Sequence, residues 1–583
     1  MSVRDRQFDV AIVGGGPGGS NTGCLLKKYS PALRVLILEK ETFPRDHVGE
    51  SQLPPIGDVL HEMGCWDKVE AAGFPIKLGA TYTWGKTTEP WIFGFLPDEQ
   101  IPHSVSRPGA YEGWRRRTAF QVDRAVYDDI MLKHAAESGC EVRQATRVRE
   151  VLRLGDRIEG LQLDSGEVVK ARYYIDASGN AGVLRRAMDV NVEIPTLLKN
   201  VAFWSYWEKP GWAHEPDVDA TRVHIRSLGF GWVWFIRLSP TRASIGVVSN
   251  GEYYRAAGQR PEEFFARAIE AEPFVKSELV GATRTSDIEA TTDWSFVVDR
   301  TFGENWFLVG ECAGFADPIL AAGLTLTQTG ARELAYTILE LERGEHERSW
   351  LLERYDDLQR RRVRQHMRFA EYWYSSNGIF DDIRENCVEI AREAGLKLTP
   401  AQAFAWLSQG GLADDVPGQV GIGGLDVAGV KQVMQRFSGS NAGWSIDGKN
   451  IFKLNLTGAA QSSVGVLRNG RIQRAPCYER AGFRLPCIGV QGMLVDALKQ
   501  SSDISAIMES LRAQLALHLP PEHIQIGVNQ AIQALEVLVN DYWVTASLKK
   551  GRPALSVGTP SEGSLIHSER HAGEAVFRTG ARD

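Results

Sequence analysis

Gly14, Gly16 and Gly19 form a Gly-x-Gly-x-x-Gly loop directly after the apolar run Phe8-Asp9-Val10-Ala11-Ile12-Val13, and no other feature of the chain limits its fold as strongly. The run reads as a short strand, residues 20–28 as a helix and Val35-Leu36-Ile37-Leu38 as a second strand, which together make a βαβ unit. Glycines at these spacings permit a tight turn and let a pyrophosphate reach the N-terminus of the helix, where backbone N–H groups and the helix dipole favour an anion. Glu39 follows Gly16 by 23 residues, at the end of the second strand, where a carboxylate accepts hydrogen bonds from ribose hydroxyls. These parts imply a dinucleotide, but the loop by itself does not choose FAD over NAD.

The 583 residues allow three or four folding units. The α/β pattern resumes with a helix over 125–138, strands over 141–154, and a strand over 168–176 that ends in Asp176-Ala177-Ser178-Gly179. Between about 201 and 248 the strands become rich in aromatic and β-branched residues, which predicts a separate antiparallel sheet. The strand Trp306-Phe307-Leu308-Val309 and a helix over 325–342 then close the α/β domain, whose segments are discontinuous in sequence. Residues 343–414 read as helical and charged, with an aromatic patch at Phe369-Ala370-Glu371-Tyr372-Trp373-Tyr374. The glycine-rich stretch 418–443 reads as a linker or a set of loops. A hairpin around Asn469-Gly470 and helices over 492–499 and 505–518 suggest a small α+β unit.

Lys and Arg number 66 against 73 Asp and Glu, a net charge of −7, which argues against a surface built for nucleic acid or an anionic membrane. The longest early uncharged run, residues 10–26, contains the glycine loop and would break a membrane-spanning helix. The first ten residues carry Asp5 and Asp9 and lack a small-residue cleavage pattern, so a cytoplasmic location is expected. The seven cysteines are odd in number, scattered and never spaced as CxxC, which fits reduced core thiols and no metal.

Four further stretches choose the cofactor: Phe43-Pro44-Arg45-Asp46-His47-Val48-Gly49-Glu50-Ser51, Gln121-Val122-Asp123-Arg124, Asp176-Ala177-Ser178-Gly179, and Val309-Gly310-Glu311-Cys312-Ala313-Gly314-Phe315-Ala316-Asp317-Pro318. Over roughly residues 5–345 the chain resembles the hydroxylase-type FAD-binding superfamily and, more narrowly, its flavin-dependent halogenases of the phenol or pyrrole type. Gly231-Trp232-Val233-Trp234-Phe235-Ile236-Arg237 is similar to the WxWxIP signature of those halogenases, with Arg237 in place of proline. Taken alone, two tryptophans at i and i+2 on one strand face could equally pack a sheet.

The resemblance implies an α/β fold: a Rossmann-like FAD-binding domain with an antiparallel substrate-side sheet, plus a helical and small α+β C-terminal region. The expected boundaries are a module over 1–345 (FAD-binding segments 1–75, 112–195 and 285–345; substrate-side sheet 76–111 and 196–284), a helical region over 346–415, an α+β unit of unknown role over 416–560 and a flexible tail over 561–583. Cofactor contacts are expected from Gly14, Gly16, Gly19, Glu39, Arg45, Ser51, Arg124, Val148, Asp176, Gly310, Glu311, Gly323 and Leu324. Glu311 stands where the family more often has Asp.

The family also implies FADH2, O2 and chloride or bromide as reactants, with hypohalous acid as the product formed at the flavin. Halide is expected at the backbone N–H groups of Gly323 and Leu324, where small residues let donors approach an anion; Ala321 and Ala322 occupy positions that are often Ser or Thr. Trp232 and Trp234 are expected to shield the flavin from substrate. Lys77, between Ile76 and Leu78, matches the essential lysine that holds or activates the oxidised halogen; an amine with a readily shifted pKa suits either role, although most lysines are solvated surface charges. No second nucleotide loop is visible, so a separate flavin reductase is the expected partner, with an aromatic substrate that is free or carrier-bound. An FAD-dependent aromatic monooxygenase is the alternative, and a flavin-binding scaffold without catalysis a more distant one.

Overall fold

The computed structural model describes residues 7–85, 87–96, 100–212, 220–292, 295–385, 389–390, 421–422, 425–438, 443–558, 565–566 and 577–580. The elements used below begin with β1 (Phe8–Val13), α1 (Pro17–Tyr29), β2 (Val35–Leu38), β3 (Ile76–Thr83), β4 (Trp91–Gly94), α2 (Arg124–Glu137), β5 (Glu141–Arg143) and β6 (Ala171–Asp176). They continue with β7 (Asn200–Glu208), β8 (Ala220–Leu228), β9 (Gly231–Arg237), β10 (Arg242–Asn250), β11 (Trp306–Leu308), α3 (Gly323–Arg343) and α4 (Arg348–Ser375). The C-terminal part contributes α5 (Val427–Ser438), β12 (Ala460–Arg468), β13 (Arg471–Arg480), α6 (Gly489–Gln500), α7 (Ile504–Ala516) and α8 (Ile524–Asn540).

The first sheet is wholly parallel, in the order β11-β6-β1-β2-β5. Its β1 and β2 are almost entirely buried apolar runs, as a sheet covered on both faces requires. Val13 pairs with Leu38 and Asp176, and Asp176 with Leu308. The residues that follow these four strand ends therefore lie along one edge of the sheet, outside its carboxyl ends, which is where doubly wound sheets bind ligands.

The second sheet contains the expected antiparallel strands over 201–248, β7 to β10, and is mixed beyond them. Its order is Thr283–Arg284, β7, β10, β9, β8, β3, β4, Leu565–Ile566, and β8 runs parallel to β3. A parallel neighbour needs a long crossover, and the chain between β3 and β8 contains the FAD-binding segment 112–195, with α2, β5 and β6. Alternation along β9 separates two faces: Trp232, Trp234 and Ile236 join one core cluster, while Val233 and Phe235 join another with Phe264 and Phe265.

The stretch 418–443, expected as loops, contains helix α5. Val427, Val430, Val433, Met434 and Phe437 are all buried, a helical spacing that the surrounding glycines outweighed. One continuous core joins the chamber side of the second sheet to Trp373, Phe437 and the buried faces of α6, α7 and α8. The expected hairpin is present, with Asn469 (φ 49°) and Gly470 (φ 75°) forming a turn between β12 and β13. It docks on the FAD-binding domain: Arg354 donates to Glu333 (2.7 Å) and to the Gly465 carbonyl (3.1 Å), and Arg343 donates to the Gly470 carbonyl (2.6 Å).

In the terminal stretch expected as a flexible tail, Leu565–Ile566 pairs with Phe93 and Gly94, and Phe577–Gly580 pairs with Ala554–Val557. Six cysteines are free thiols, five of them buried; Cys387 lies outside the described residues, as do residues 391–420. Among the described residues no helix is long and apolar enough to cross a membrane.

Candidate active site

A single cavity of about 810 Å³ runs from the carboxyl edge of the parallel sheet to the aromatic face of the second sheet. At the nucleotide end, Gly14 has φ 107°, and a Cβ there would stand 2.3 Å from the Ala177 carbonyl oxygen, so the turn after β1 admits only glycine. A Cβ on Gly19 would meet the Gly14 carbonyl at 2.0 Å. Gly16 differs: its Cβ would face only Arg45 Nη2, at 3.5 Å, and the residue lines the cavity. Glu39 is buried and accepts from the N–H groups of Gly15 (2.7 Å) and Glu41 (2.9 Å), which ties the second strand end to the loop.

Arg45, Ser51, Val148, Gly310, Glu311, Gly323 and Leu324 also line the cavity. Arg45 stacks on Phe43 at 4.6 Å, and its buried Nη1 makes no hydrogen bond but is ion-paired with Asp128 at 3.4 Å. The Ser51 hydroxyl is buried and unpartnered. The unpartnered Ser51 hydroxyl, an open glycine turn and a free helix N-terminus fit the pyrophosphate and ribityl groups of FAD. Arg124 is held by both oxygens of Asp128 (2.8 and 2.9 Å) and donates to the carbonyls of Val48 (3.0 Å) and Gly49 (3.2 Å), so it braces the 45–51 loop against the cavity.

Asp176 requires a correction. Its carboxylate accepts from the Ser178 N–H and hydroxyl and from the N–H groups of Leu184 (2.7 Å) and Arg185 (2.9 Å), and it is not on the cavity wall. Both oxygens are used in holding the loop after β6, so Asp176 positions Ala177, Ser178 and Gly179, which do line the cavity, rather than facing it.

At the far end, Lys77 is 2% exposed on β3. Its Nζ donates to the Gln52 carbonyl (2.8 Å) and sits 5.4 Å above the ring of Phe95. Burial alone pushes its pKa down to about 7, so the neutral amine is well populated near neutral pH. The same cavity is lined farther along the sheet by aromatic and aliphatic side chains: Tyr82, Phe93, Ile225, Trp232, Trp234 and Trp373. Glu50, which also lines the cavity, accepts from Gly49 N–H (3.0 Å) and Tyr206 OH (3.1 Å); burial nonetheless raises its pKa.

Trp232 and Trp234 present their rings to this chamber, with centroids 6.0 Å apart and planes at 51°. Trp232 Nε1 donates to Tyr374 OH (2.7 Å) and Trp234 Nε1 to Ser244 (3.1 Å). Arg237, where the family has proline, donates to Thr221 at 3.0 Å. The turn Pro318–Leu320 leads through Ala321, at φ 52°, into α3. Gly323 and Leu324 occupy the first turn of that 21-residue helix, where N–H groups have no intrahelical acceptor.

Glu50, Gln52, Phe95, Trp373 and Tyr374 were not among the expected site residues. Glu50 stands inside the motif around Gly49, and Trp373 and Tyr374 inside the aromatic patch on α4. Only tertiary packing brings the patch beside Trp232.

Residues 7–370 match the family model described as "FAD binding domain". The 1H-pyrrole-2-carbonyl-[peptidyl-carrier protein] chlorinase of Pseudomonas fluorescens (strain Pf-5) is 29% identical over 387 residues, 65% of this chain and 86% of that protein. Other curated relatives are matched over 62–65% of their own length. The solved structure of the myxobacterial chondrochloren halogenase CndH is 30% identical with a TM-score of 0.58, covering 67% of this chain and 89% of that one. The flavin-dependent halogenase CmlS, at 22% identity, shares the fold over 94% of this chain and 98% of its own, with a TM-score of 0.69, so its likeness extends through the C-terminal third. With the family model spanning well over half of the chain and a solved halogenase matched over most of its length, this chain belongs to the FAD-binding domain family and, within it, to the flavin-dependent halogenases.

Proposed function

We propose that this enzyme halogenates a neutral, electron-rich aromatic, phenolic or pyrrole-like, free or tethered to a carrier protein, and that Lys77 carries the halogen to it. When bound, FADH2 supplies the two electrons that let O2 oxidise halide: FADH2 + O2 + X⁻ + H⁺ gives FAD, HOX and water. The observation that supports this reading best is the buried amine of Lys77, held by one carbonyl, over Phe95, in the cavity that also holds the N-terminus of α3.

The amide N–H groups of Gly323 and Leu324 and the dipole of α3 hold chloride or bromide. Gly14 and Gly16 carry the pyrophosphate, with Gly19, off the cavity wall, packing α1 against the Gly14 carbonyl; Glu39 holds the ribose, and Arg45, Ser51, Val148, Gly310 and Glu311 the rest of the FAD. Trp232 and Trp234 stand between flavin and substrate, which keeps oxygen transfer from competing. The neutral amine of Lys77 attacks HOX, forming an N–X bond and releasing water; the ring carbon then takes X, and the amine regains the ring proton. Burial favours the neutral, nucleophilic form, and the hydrogen bond to Gln52 leaves the nitrogen lone pair free.

Tyr82, Phe93, Ile225, Trp232, Trp234 and Trp373 are uncharged, and the ionisable groups named beside them are Lys77 and Glu50; this largely apolar lining favours a neutral ring over a zwitterionic amino acid. The chlorinase relative, like a Pseudoalteromonas luteoviolacea brominase at 26% identity, is named for a pyrrole held on a carrier protein. We take electrons to come from a separate flavin reductase.

The test is incubation with a reductase-supplied pool of FADH2, oxygen and chloride or bromide against phenols, pyrroles and their carrier-bound forms, with products read by mass spectrometry. Halogenated product that disappears in Lys77→Ala supports the reading. Hydroxylated product without halogen, surviving in Lys77→Ala, would replace it with the monooxygenase alternative.

A further inference from the structure

The turn Pro318–Leu320 is held by a chain of buried hydrogen bonds that no feature of the reaction scheme above requires. Asp317 is 3% exposed. Its Oδ1 accepts from the N–H of Ile319 (2.9 Å) and the hydroxyl of Tyr374 (3.2 Å), and its Oδ2 from Asn200 Nδ2 (3.2 Å). Tyr374 OH in turn accepts from Trp232 Nε1 (2.7 Å). Three segments distant in sequence thus meet at one carboxylate: β7 through Asn200, the chamber strand β9 through Trp232, and the end of α4 through Tyr374.

The location of this carboxylate makes its donors matter. Asp317 caps the turn Pro318–Leu320, and Ala321 behind it is held at φ 52°, a conformation that L-residues with a side chain rarely adopt. Such a conformation persists only where its surroundings over-determine it, and two bonds fix it: Ala321 N–H to the Pro318 carbonyl (2.9 Å) and Ile319 N–H to the Asp317 cap (2.9 Å). The turn then delivers Gly323 and Leu324 as the first residues of α3. A buried negative charge four residues from the turn's exit also opposes an incoming anion unless donors draw its charge away.

We propose that Tyr374 is a positioning residue for halide: through Asp317 it fixes the backbone from Pro318 to Leu324 and offsets the carboxylate's charge, while through Trp232 it joins that backbone to the chamber wall. This rests on halide binding at Gly323 and Leu324. The hydroxyl is the operative part, because the ring of Tyr374 already packs on Trp84 (5.8 Å) and Phe380 (6.0 Å), and those contacts survive its removal.

The test uses the full-length, FAD-loaded enzyme and Tyr374→Phe. Chloride and bromide are titrated against flavin absorbance and fluorescence, FAD affinity is measured separately, and steady-state turnover gives kcat at saturating halide beside the halide KM. The expected result is a halide constant about tenfold weaker, as the loss of one hydrogen bond to a charged group implies, with FAD affinity and kcat at saturating halide little changed. Asn200→Ala removes a donor from the other carboxylate oxygen and should weaken halide in the same direction, so a Tyr374→Phe protein that fails to fold leaves the idea testable. Halide constants unchanged in both variants, or a fall in kcat and melting temperature with no change in halide constant, overturn the positioning role. A wild-type flavin spectrum that ignores halide altogether instead overturns the halide reading on which it stands.

Discussion

The indole of Trp234 lies across Gly246 on the neighbouring strand so closely that a Cβ at 246 would stand 2.1 Å from its Cζ2. The two residues pair directly, β9 against β10, and Ser244 two residues earlier takes the indole N–H. The absence of a side chain at 246 is what lets the ring lie flat over the sheet and form the chamber wall.

Gly246→Ala should therefore cost about 1–3 kcal/mol through overpacking, read as a lower thermal midpoint. It should also displace Trp234 and so raise the ratio of hydroxylated to halogenated product. A variant as stable as the parent would show that the ring moves aside without strain.

Gly16 and Gly14 should separate binding from folding. Gly16→Val places its side chain in the open cavity, so the protein should fold normally with FAD affinity reduced at least about tenfold, measured by fluorescence titration. Gly14→Ala drives Cβ into the Ala177 carbonyl and should lower stability itself.

Lys77 should make stability depend on pH. Its folded-state pKa of about 7 lies below the ordinary 10.5, so the unfolded chain binds the extra proton between those values. The cost of burying it, at most about 4–5 kcal/mol, is fully present below pH 7 and shrinks as pH rises toward 10.5. Lys77→Met should stabilise the protein more at pH 6 than at pH 9, in chemical denaturation at both. The rate of halogenation in the parent should fall as pH drops through 7 and the neutral amine is lost.

Asp176→Ala should act on the cofactor without touching it. Four hydrogen bonds from Ser178, Leu184 and Arg185 lose their acceptor, so FAD affinity and stability should fall together, stability by about 2–4 kcal/mol. An unchanged melting temperature with lost FAD binding would instead mark a direct contact.

The parallel sheet was legible because its signals are local: an apolar strand, a glycine turn, and a carboxylate at the end of the next strand. Lys77 was legible only through its resemblance to a family pattern, since nothing in Ile76-Lys77-Leu78 says that the amine will be buried under Phe95. Asp176 misled because a carboxylate at a strand's carboxyl end can face the ligand or the loop, and only the four donors around it decide. Helix α5 was hidden by neighbouring glycines although its valines keep helical spacing. The bonds from Tyr374 span 57 residues to Asp317 and 142 to Trp232, a separation that no window of sequence can register.

Helix α4 runs 28 residues, about 42 Å. Arg354 in its first half anchors the β12–β13 hairpin, and Trp373 near its end faces the reaction chamber. For anyone building chimaeras between related enzymes, this rod sets where the seam can fall. A junction placed after Ser375 imports a foreign hairpin onto a resident docking post and keeps the resident chamber wall. A junction ahead of Arg348 moves post, hairpin and Trp373 as one cassette, while the wall residues on β3, β4, β8 and β9 stay resident.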